Sequence, residues 1–227
     1  MAEMGDGYGS ECHLLRFLGR HRDQFDRLVL SSTGAYTVRW LDFHFDPTRR
    51  WQDGERKGLD FLPPDHPAVA AWTKYWPQRG SQPNWDAVGV VSIGGADEWL
   101  LVEAKAHIGE MVSDCKASEE GGLSKIRSAL DEVKAIVGVP IDRDWLRRYY
   151  QFANRLAVMN FLLRNNVPAR LLFIYFVGDK RSDGISCPQT DGEWAKALQD
   201  QAQWLGITEE NALSKRVHKM FLPIVLD

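Results

Sequence analysis

Three charged residues fall on neighbouring strand-like runs at a spacing that suits phosphoryl chemistry: Asp86, Glu103 and Lys105. Along Trp99 to His107 (WLLVEAKAH), strand alternation puts Leu101, Glu103, Lys105 and His107 on one face and Leu100, Val102, Ala104 and Ala106 on the other. On the preceding run, Asp86 shares a face with Val88 and Val90. Opposed residues of an antiparallel pair project from the same face, so the register decides whether Asp86 joins Glu103 and Lys105. Two registers bring it there. In one, Asp86 faces Glu103, Ser92 pairs with Asp97 and the loop is Ile93 to Ala96; in the other, Asp86 faces Lys105, Ile93 pairs with Glu98 and the loop is Gly94 to Asp97. A register off by one sends Asp86 to the far side.

Two carboxylates held close together repel unless a cation lies between them, and hard oxygen ligands of this kind suit Mg²⁺ or Mn²⁺. Such a metal polarises a phosphoryl oxygen and lowers the pKa of a bound water, supplying a nucleophile at neutral pH. Lys105 is placed to orient that water or to offset charge on the phosphorane. The plain alternative is a solvated hairpin face with an ordinary Glu–Lys pair. Against it, Leu, Val and Ala bound the run on both sides, so the strand is expected to be interior.

The elements that must position these residues follow from periodicity. The spacing of Leu14, Leu15, Phe17, Leu18 and Phe25 predicts one helix from about Ser10 to Leu30, and Tyr36 to Phe45 reads as a strand ended by Asp46-Pro47. Asp46 to Pro83 is an insertion of mixed charge, Pro and Gly with one short helix near Ala68 to Trp76. Asn84 to Ser92 and Glu98 to His107 form a hairpin around Ile93 to Asp97. Helices follow over Leu123 to Val137 and Asp144 to about Asn165, then a buried strand over Arg170 to Val177. A helix near Gly192 to Leu205, a short one near Glu209 to Lys215 and a strand from Met220 to Leu226 complete the chain. The expected class is α/β: a single domain over residues 1–227, its central mixed sheet flanked by helices, with residues 46–83 inserted.

Composition narrows the partners. The 227 residues carry 28 Lys+Arg against 31 Asp+Glu, a formal net charge of −3, which excludes a polybasic clamp. With 44% hydrophobic and 26% charged residues, the chain can bury a sizeable core. The basic clusters are local: Arg16, Arg20, Arg22 and Arg27 near one end, and Arg143, Arg147 and Arg148 before the long helix. Cys12, Cys115 and Cys187 form no metal or disulfide pattern, which with the polar start of the chain leads to an expected cytoplasmic setting. No apolar run reaches the roughly 18 residues of a membrane span, so no membrane partner is expected.

The pairing of Pro83-Asn84-Trp85-Asp86 with Glu103-Ala104-Lys105 resembles the signature of the PD-(D/E)xK nuclease superfamily, the restriction-endonuclease-like fold. There, an Asp begins one hairpin strand and (Asp/Glu)-x-Lys lies on the next. The chain departs from the literal dipeptide, because Asn84 and Trp85 separate Pro83 from Asp86. The αβββαβ core of that family agrees with the expected element order from the first helix to Val177. The resemblance implies metal ligation by Asp86, Glu103 and the Ala104 carbonyl, with Lys105 as the catalytic lysine. It also points to Glu11 on the first helix and Gln151 on the long helix. The implied activity is Mg²⁺-dependent hydrolysis of phosphodiester bonds, in DNA ahead of RNA, with a homodimer the simplest route to two cuts in a duplex. The alternative is an inactive nucleic-acid-binding or assembly module that retains the fold.

Overall fold

The computed structural model describes residues 7–41, 44–45, 53–80 and 82–225. Helices α1 (Ser10–Gly19) and α2 (Arg22–Thr33) lead into β1 (Thr37–Trp40). Short strand pairs follow: β2 (His44–Phe45) with β3 (Asp53–Gly54), and β4 (Arg56–Lys57) with β5 (Asn84–Trp85), the latter two flanking α3 (Pro67–Tyr75). Strands β6 (Ala87–Ile93) and β7 (Ala96–Lys105) precede α4 (Leu123–Val137), α5 (Tyr150–Arg164), β8 (Ala169–Val177), α6 (Asp191–Leu205) and β9 (Val217–Pro223). The fold is α/β, with a mixed five-stranded sheet in the order β1-β6-β7-β8-β9 between two layers of helices. Pairing is antiparallel from β1 to β7 and parallel from β7 to β9.

Each sheet face buries its own core. On one side Val88, Leu101, Leu171, Phe173 and Tyr175 pack with residues of α3 to α6; on the other, Leu100, Val102, Ala104, Leu172 and Ile174 meet Leu14, Phe17, Phe25 and Val29 of α1 and α2. At about 1.5–3 kcal/mol per fully buried large aliphatic or aromatic side chain, these two layers supply the main stabilisation. Alternation along β7 is therefore as the sequence requires, with Leu101 and Glu103 on the α5 face and Ala104 on the α1 face. Helix α5 is enclosed almost all round, from Ala153 to Leu162, as the central helix of its layer.

The hairpin takes the register in which Ser92 pairs with Asp97, but Ile93 also pairs with Ala96. The expected four-residue loop is thus two residues, Gly94-Gly95, with φ of 60° and 85°. A two-residue turn with both φ values positive matches the strand twist, and glycine is the residue that allows it.

Several expectations are corrected. The single first helix is two, turning at Arg20–His21, where Arg22 Nε donates to the Leu18 carbonyl at 2.7 Å. The corner lets Phe17 and Phe25 meet, with Phe25 stacked on Trp40. Among the described residues, the strand expected over Tyr36 to Phe45 is paired to the main sheet over Thr37–Trp40, opposite Ser92–Gly89. The long helix begins at Tyr150, not Asp144. Residues 144–149 instead lie along the segment at Ser113: Ser113 N–H donates to the Arg148 carbonyl at 2.8 Å and Cys115 N–H to the Leu146 carbonyl at 2.7 Å. Trp145 and Tyr149 are buried from that loop rather than from a helix. His107 lies beyond β7, before a 3₁₀ turn at Ile108–Met111, and the helix expected near Glu209 is a 3₁₀ turn at Ser214–Arg216. The inserted helix, α3, starts one residue early, with Pro67 in its first turn and His66 as its cap. The rest of the insertion from 46 to 52 lies outside the described residues. Last, Met220–Leu226 is replaced by Val217–Pro223, which pairs with Leu171–Val177.

Candidate functional site

The strand expected over Asn84 to Ser92 is broken at Asp86, and this break builds the site. Trp85, 1% exposed, turns away to pair with Arg56 and donates from Nε1 to the Gly58 carbonyl at 3.0 Å. Asp86 keeps one ladder bond, from its N–H to the Val102 carbonyl at 3.1 Å. Its side chain then replaces the acceptor that a continuing strand would have offered: Asp86 Oδ2 accepts from Ala104 N–H at 2.6 Å. In an extended strand the N–H and C=O of one residue point to the same edge. The Ala104 carbonyl therefore opens on the edge that Asp86 occupies.

Glu103 lies behind this edge, 3% exposed, and is held by two cations. Arg155 of α5 donates to Oε2 from Nε at 2.8 Å and from Nη2 at 2.7 Å, while Lys105 Nζ donates to Oε1 at 2.5 Å. A carboxylate has about four lone-pair positions. Three are filled, and the open one is on Oε1. Arg155 is itself fixed by Asn154 Oδ1 at 2.7 Å and lies over the Trp85 ring at 4.9 Å, so one guanidinium ties Glu103 to the segment that turns at Asp86. Lys105 Nζ also donates to Gln151 Oε1 at 2.9 Å.

Electrostatics separate the two carboxylates. Burial pushes the Asp86 carboxyl well above its ordinary range, the charge of Glu103 pushes further, and the attraction of Lys105 and the Ala104 bond only partly oppose them. Some of the Asp86 surface is open, but protein encloses its remaining sides densely enough for desolvation to dominate. Glu103 meets the same burial, yet Arg155 and Lys105 outweigh it and hold the carboxyl below its ordinary value. Burial acts to lower the Lys105 value, but Glu103 and Asp86 overcome it and raise it. Lys105 is therefore an ammonium donor at neutral pH, not a base.

The remaining candidates fall around this group. Glu11, in the first turn of α1, lines one cavity with Asp86, and Glu55 lines it too. Glu55 Oε2 accepts from Asn84 Nδ2 at 2.5 Å. Sequence reasoning missed Glu55, because it sits in a charged stretch without periodicity. Gln151 reaches the site through Lys105, and with Glu103 it lines a second cavity on the α5 side. Asn154 and Arg155 of α5 are buried; Arg155 holds Glu103, and Asn154 Oδ1 accepts from Arg155. His107 is near Glu110, at 3.4 Å between Nε2 and Oε1, and lines neither cavity. Glu110 caps the next exposed N–H of the edge, that of Ala106, at 2.7 Å.

Two carboxylates and a carbonyl supply hard oxygen donors of the type that Mg²⁺ prefers. Among the described residues, no group of three or more His, Cys, Asp or Glu side chains is arranged to hold a metal ion by itself. Also among them, no helix is long and apolar enough to cross a membrane. Comparison of the chain with protein-family models, with curated proteins and with solved structures returned no match.

Proposed function

We propose that this chain is a divalent-metal-dependent nuclease that hydrolyses phosphodiester bonds, in DNA ahead of RNA, on a restriction-endonuclease-like αβββαβ core. The observation that carries the reading is the break at Asp86. It sets a carboxylate on the edge of β7 at Ala104, between Glu103 and Lys105 in sequence. A scaffold gains nothing from a buried carboxylate whose charge is opposed by both desolvation and a neighbour. The element order α1–α2, β1, β6–β7, α4–α5, β8 agrees with the proposed core.

Bound Mg²⁺, or Mn²⁺ in its place, would be held by Asp86, Glu103 and the Ala104 carbonyl, and would supply hydroxide from water at neutral pH. The donor set fits, since Asp86 gains most from a nearby cation and Glu103 keeps a lone pair on Oε1. The chain's own part is positioning and charge. Lys105 offers N–H donors to the attacking water and to the charge that grows on the phosphoryl oxygens. Gln151 fixes the direction of Nζ, and Arg155 fixes Glu103. Glu11 adds a carboxylate on the α1 side of Asp86.

A second reading is a non-catalytic nucleic-acid-binding or assembly module. One observation favours it: Glu103 is already neutralised by Lys105 and Arg155 without any metal. The test is incubation of the purified chain with linear DNA, circular DNA and RNA, with and without Mn²⁺, beside Lys105→Ala. The nuclease reading expects Mn²⁺-dependent cleavage that the variant loses. Intact DNA and RNA under all conditions would overturn it.

A further inference from the structure

A strained turn lies beside the proposed site, just before α5. Tyr149 N–H donates to the Arg147 carbonyl at 2.7 Å across Arg148, whose φ is 62°. A three-residue turn closed through a positive φ is rare, and glycine is the residue that adopts it without strain. An arginine held at such an apex implies a role for its side chain. The guanidinium lies between two rings, 5.3 Å from the centre of Tyr149 and 5.2 Å from that of Trp204 on α6. Trp204 Nε1 donates to the Asp144 carbonyl at 3.2 Å, which fixes the outer ring. Arg148 is exposed all the same. Its charge is also left over: none of the ion pairs among the described residues includes Arg148, or the exposed Arg147 and Lys116 of the same paired segments. The nearby acids turn to main-chain donors. Asp114 Oδ1 accepts from Arg148 N–H at 2.7 Å, and Asp144 Oδ1 from Leu146 N–H at 3.0 Å.

Three hydrogen bonds tie this turn to the site. The Arg148 carbonyl accepts from Ser113 N–H at 2.8 Å, Ser113 Oγ accepts from Gln151 N–H at 2.8 Å, and Gln151 Oε1 accepts from Lys105 Nζ at 2.9 Å. We propose that Arg148 grips a backbone phosphate of the DNA strand that enters the site, a few nucleotides from the cleaved bond, with Arg147 and Lys116 beside it. The identity of the partner rests on the nuclease reading; the fixed, unpaired cation does not. The chain between Arg148 and Gln151 spans at most about 11 Å, and each DNA strand carries a phosphate about every 3.4 Å of helix axis. Arginine presents a planar fork of N–H donors that fits phosphate oxygens, and a fork already held between rings loses little freedom on binding. With a formal net charge of −3 on the whole chain, attraction to a polyanion has to come from local groups of this kind. The contact positions the strand and reads no sequence.

The test is fluorescence anisotropy of a labelled DNA duplex, and of its single strand, with the full chain in EDTA over a range of salt. Arg148→Gly should weaken binding about tenfold at about 50 mM salt and lower the slope of log K against log salt by about one, the loss of one phosphate contact. Arg148→Lys keeps the charge and should keep the slope. If Arg148→Gly fails to fold by circular dichroism, Arg148→Gln replaces it, with the same direction expected. A wild type that binds neither probe, a folded Arg148→Gly with unchanged affinity and slope, or a slope lowered equally in Arg148→Lys overturns the grip. Mn²⁺-dependent cleavage by the wild type, with no change of slope in Arg148→Gly, overturns the grip and leaves the nuclease reading. A slope lowered in Arg148→Gly without cleavage by the wild type does the reverse.

Discussion

Strand β7 carries a buried glutamate near each end, and both are held by two cations. At one end Glu98 Oε2 accepts from Arg170 Nε and Arg216 Nη1, each at 2.7 Å. Spare donors there go to main-chain carbonyls, Arg170 to Lys215 at 2.8 Å and Arg216 to Ala169 at 3.3 Å, so the cluster staples β8 to the start of β9. At the other end Glu103 has Arg155 and Lys105, but a second carboxylate, Asp86, is forced into the same neighbourhood. Ion pairing alone therefore does not mark a site. The mark is the charge that the pairing leaves over.

The sharpest way to break this contrast is to remove charged groups from each end. Arg155→Met leaves Glu103 buried beside Lys105 only and should cost about 3–5 kcal/mol in urea unfolding. Next in size is Lys105→Ala, expected to lower Mn²⁺-dependent DNA cleavage at least about 100-fold. Glu98→Gln, the counterpart at the other end, should cost only about 1–2 kcal/mol of stability and leave the cleavage rate unaltered. A Glu98→Gln variant that lost activity as Lys105→Ala does would erase the distinction between the two ends.

How much of this was legible follows from where each signal lies. The faces of β7 and the existence of the hairpin could be read, because alternation and the turn residues are local; the register could not, since placing Asp86 opposite Glu103 or opposite Lys105 fits the sequence equally. The break at Asp86 could not, since nothing local marks a turn there and it is imposed by the pairing of Trp85 to Arg56, far away in sequence. The same holds for the start of α5: Trp145 and Tyr149 fit helical spacing, yet their burial comes from a loop tied to Ser113. Arg155 shares one side of α5 with Gln151 and Asn154, and that polar spacing does not reveal its burial. A helix buried all round hides which polar positions are interior. The proposed function and the proposed metal rest on the resemblance and on the placement of Asp86, Glu103 and Lys105.

The smallest expected effect sharpens the contrast through pH. The Asp86 carboxyl in the folded chain titrates above its ordinary value of 3.8. Its contribution to stability is thus present below that value and lost as pH rises through the folded value. Glu103 behaves oppositely: held below its ordinary 4.5, it contributes above that value, and the contribution is lost as pH falls through the folded one. Asp86→Asn should therefore stabilise the chain at neutral pH, by about 0.5–2 kcal/mol, while Glu103→Gln destabilises it. Urea unfolding of both variants between about pH 3 and 8 reads the two signs. Two variants that both destabilise at neutral pH would show Asp86 to be an ordinary satisfied carboxylate.

The central claim is that the Asp86–Glu103 edge takes a divalent cation. Calorimetric titration of Mn²⁺ into the wild type and into Glu103→Ala addresses it most directly, with circular dichroism confirming that the variant is folded. The account predicts saturable binding to the wild type that Glu103→Ala loses. Equal and negligible heat from both folded proteins would contradict it.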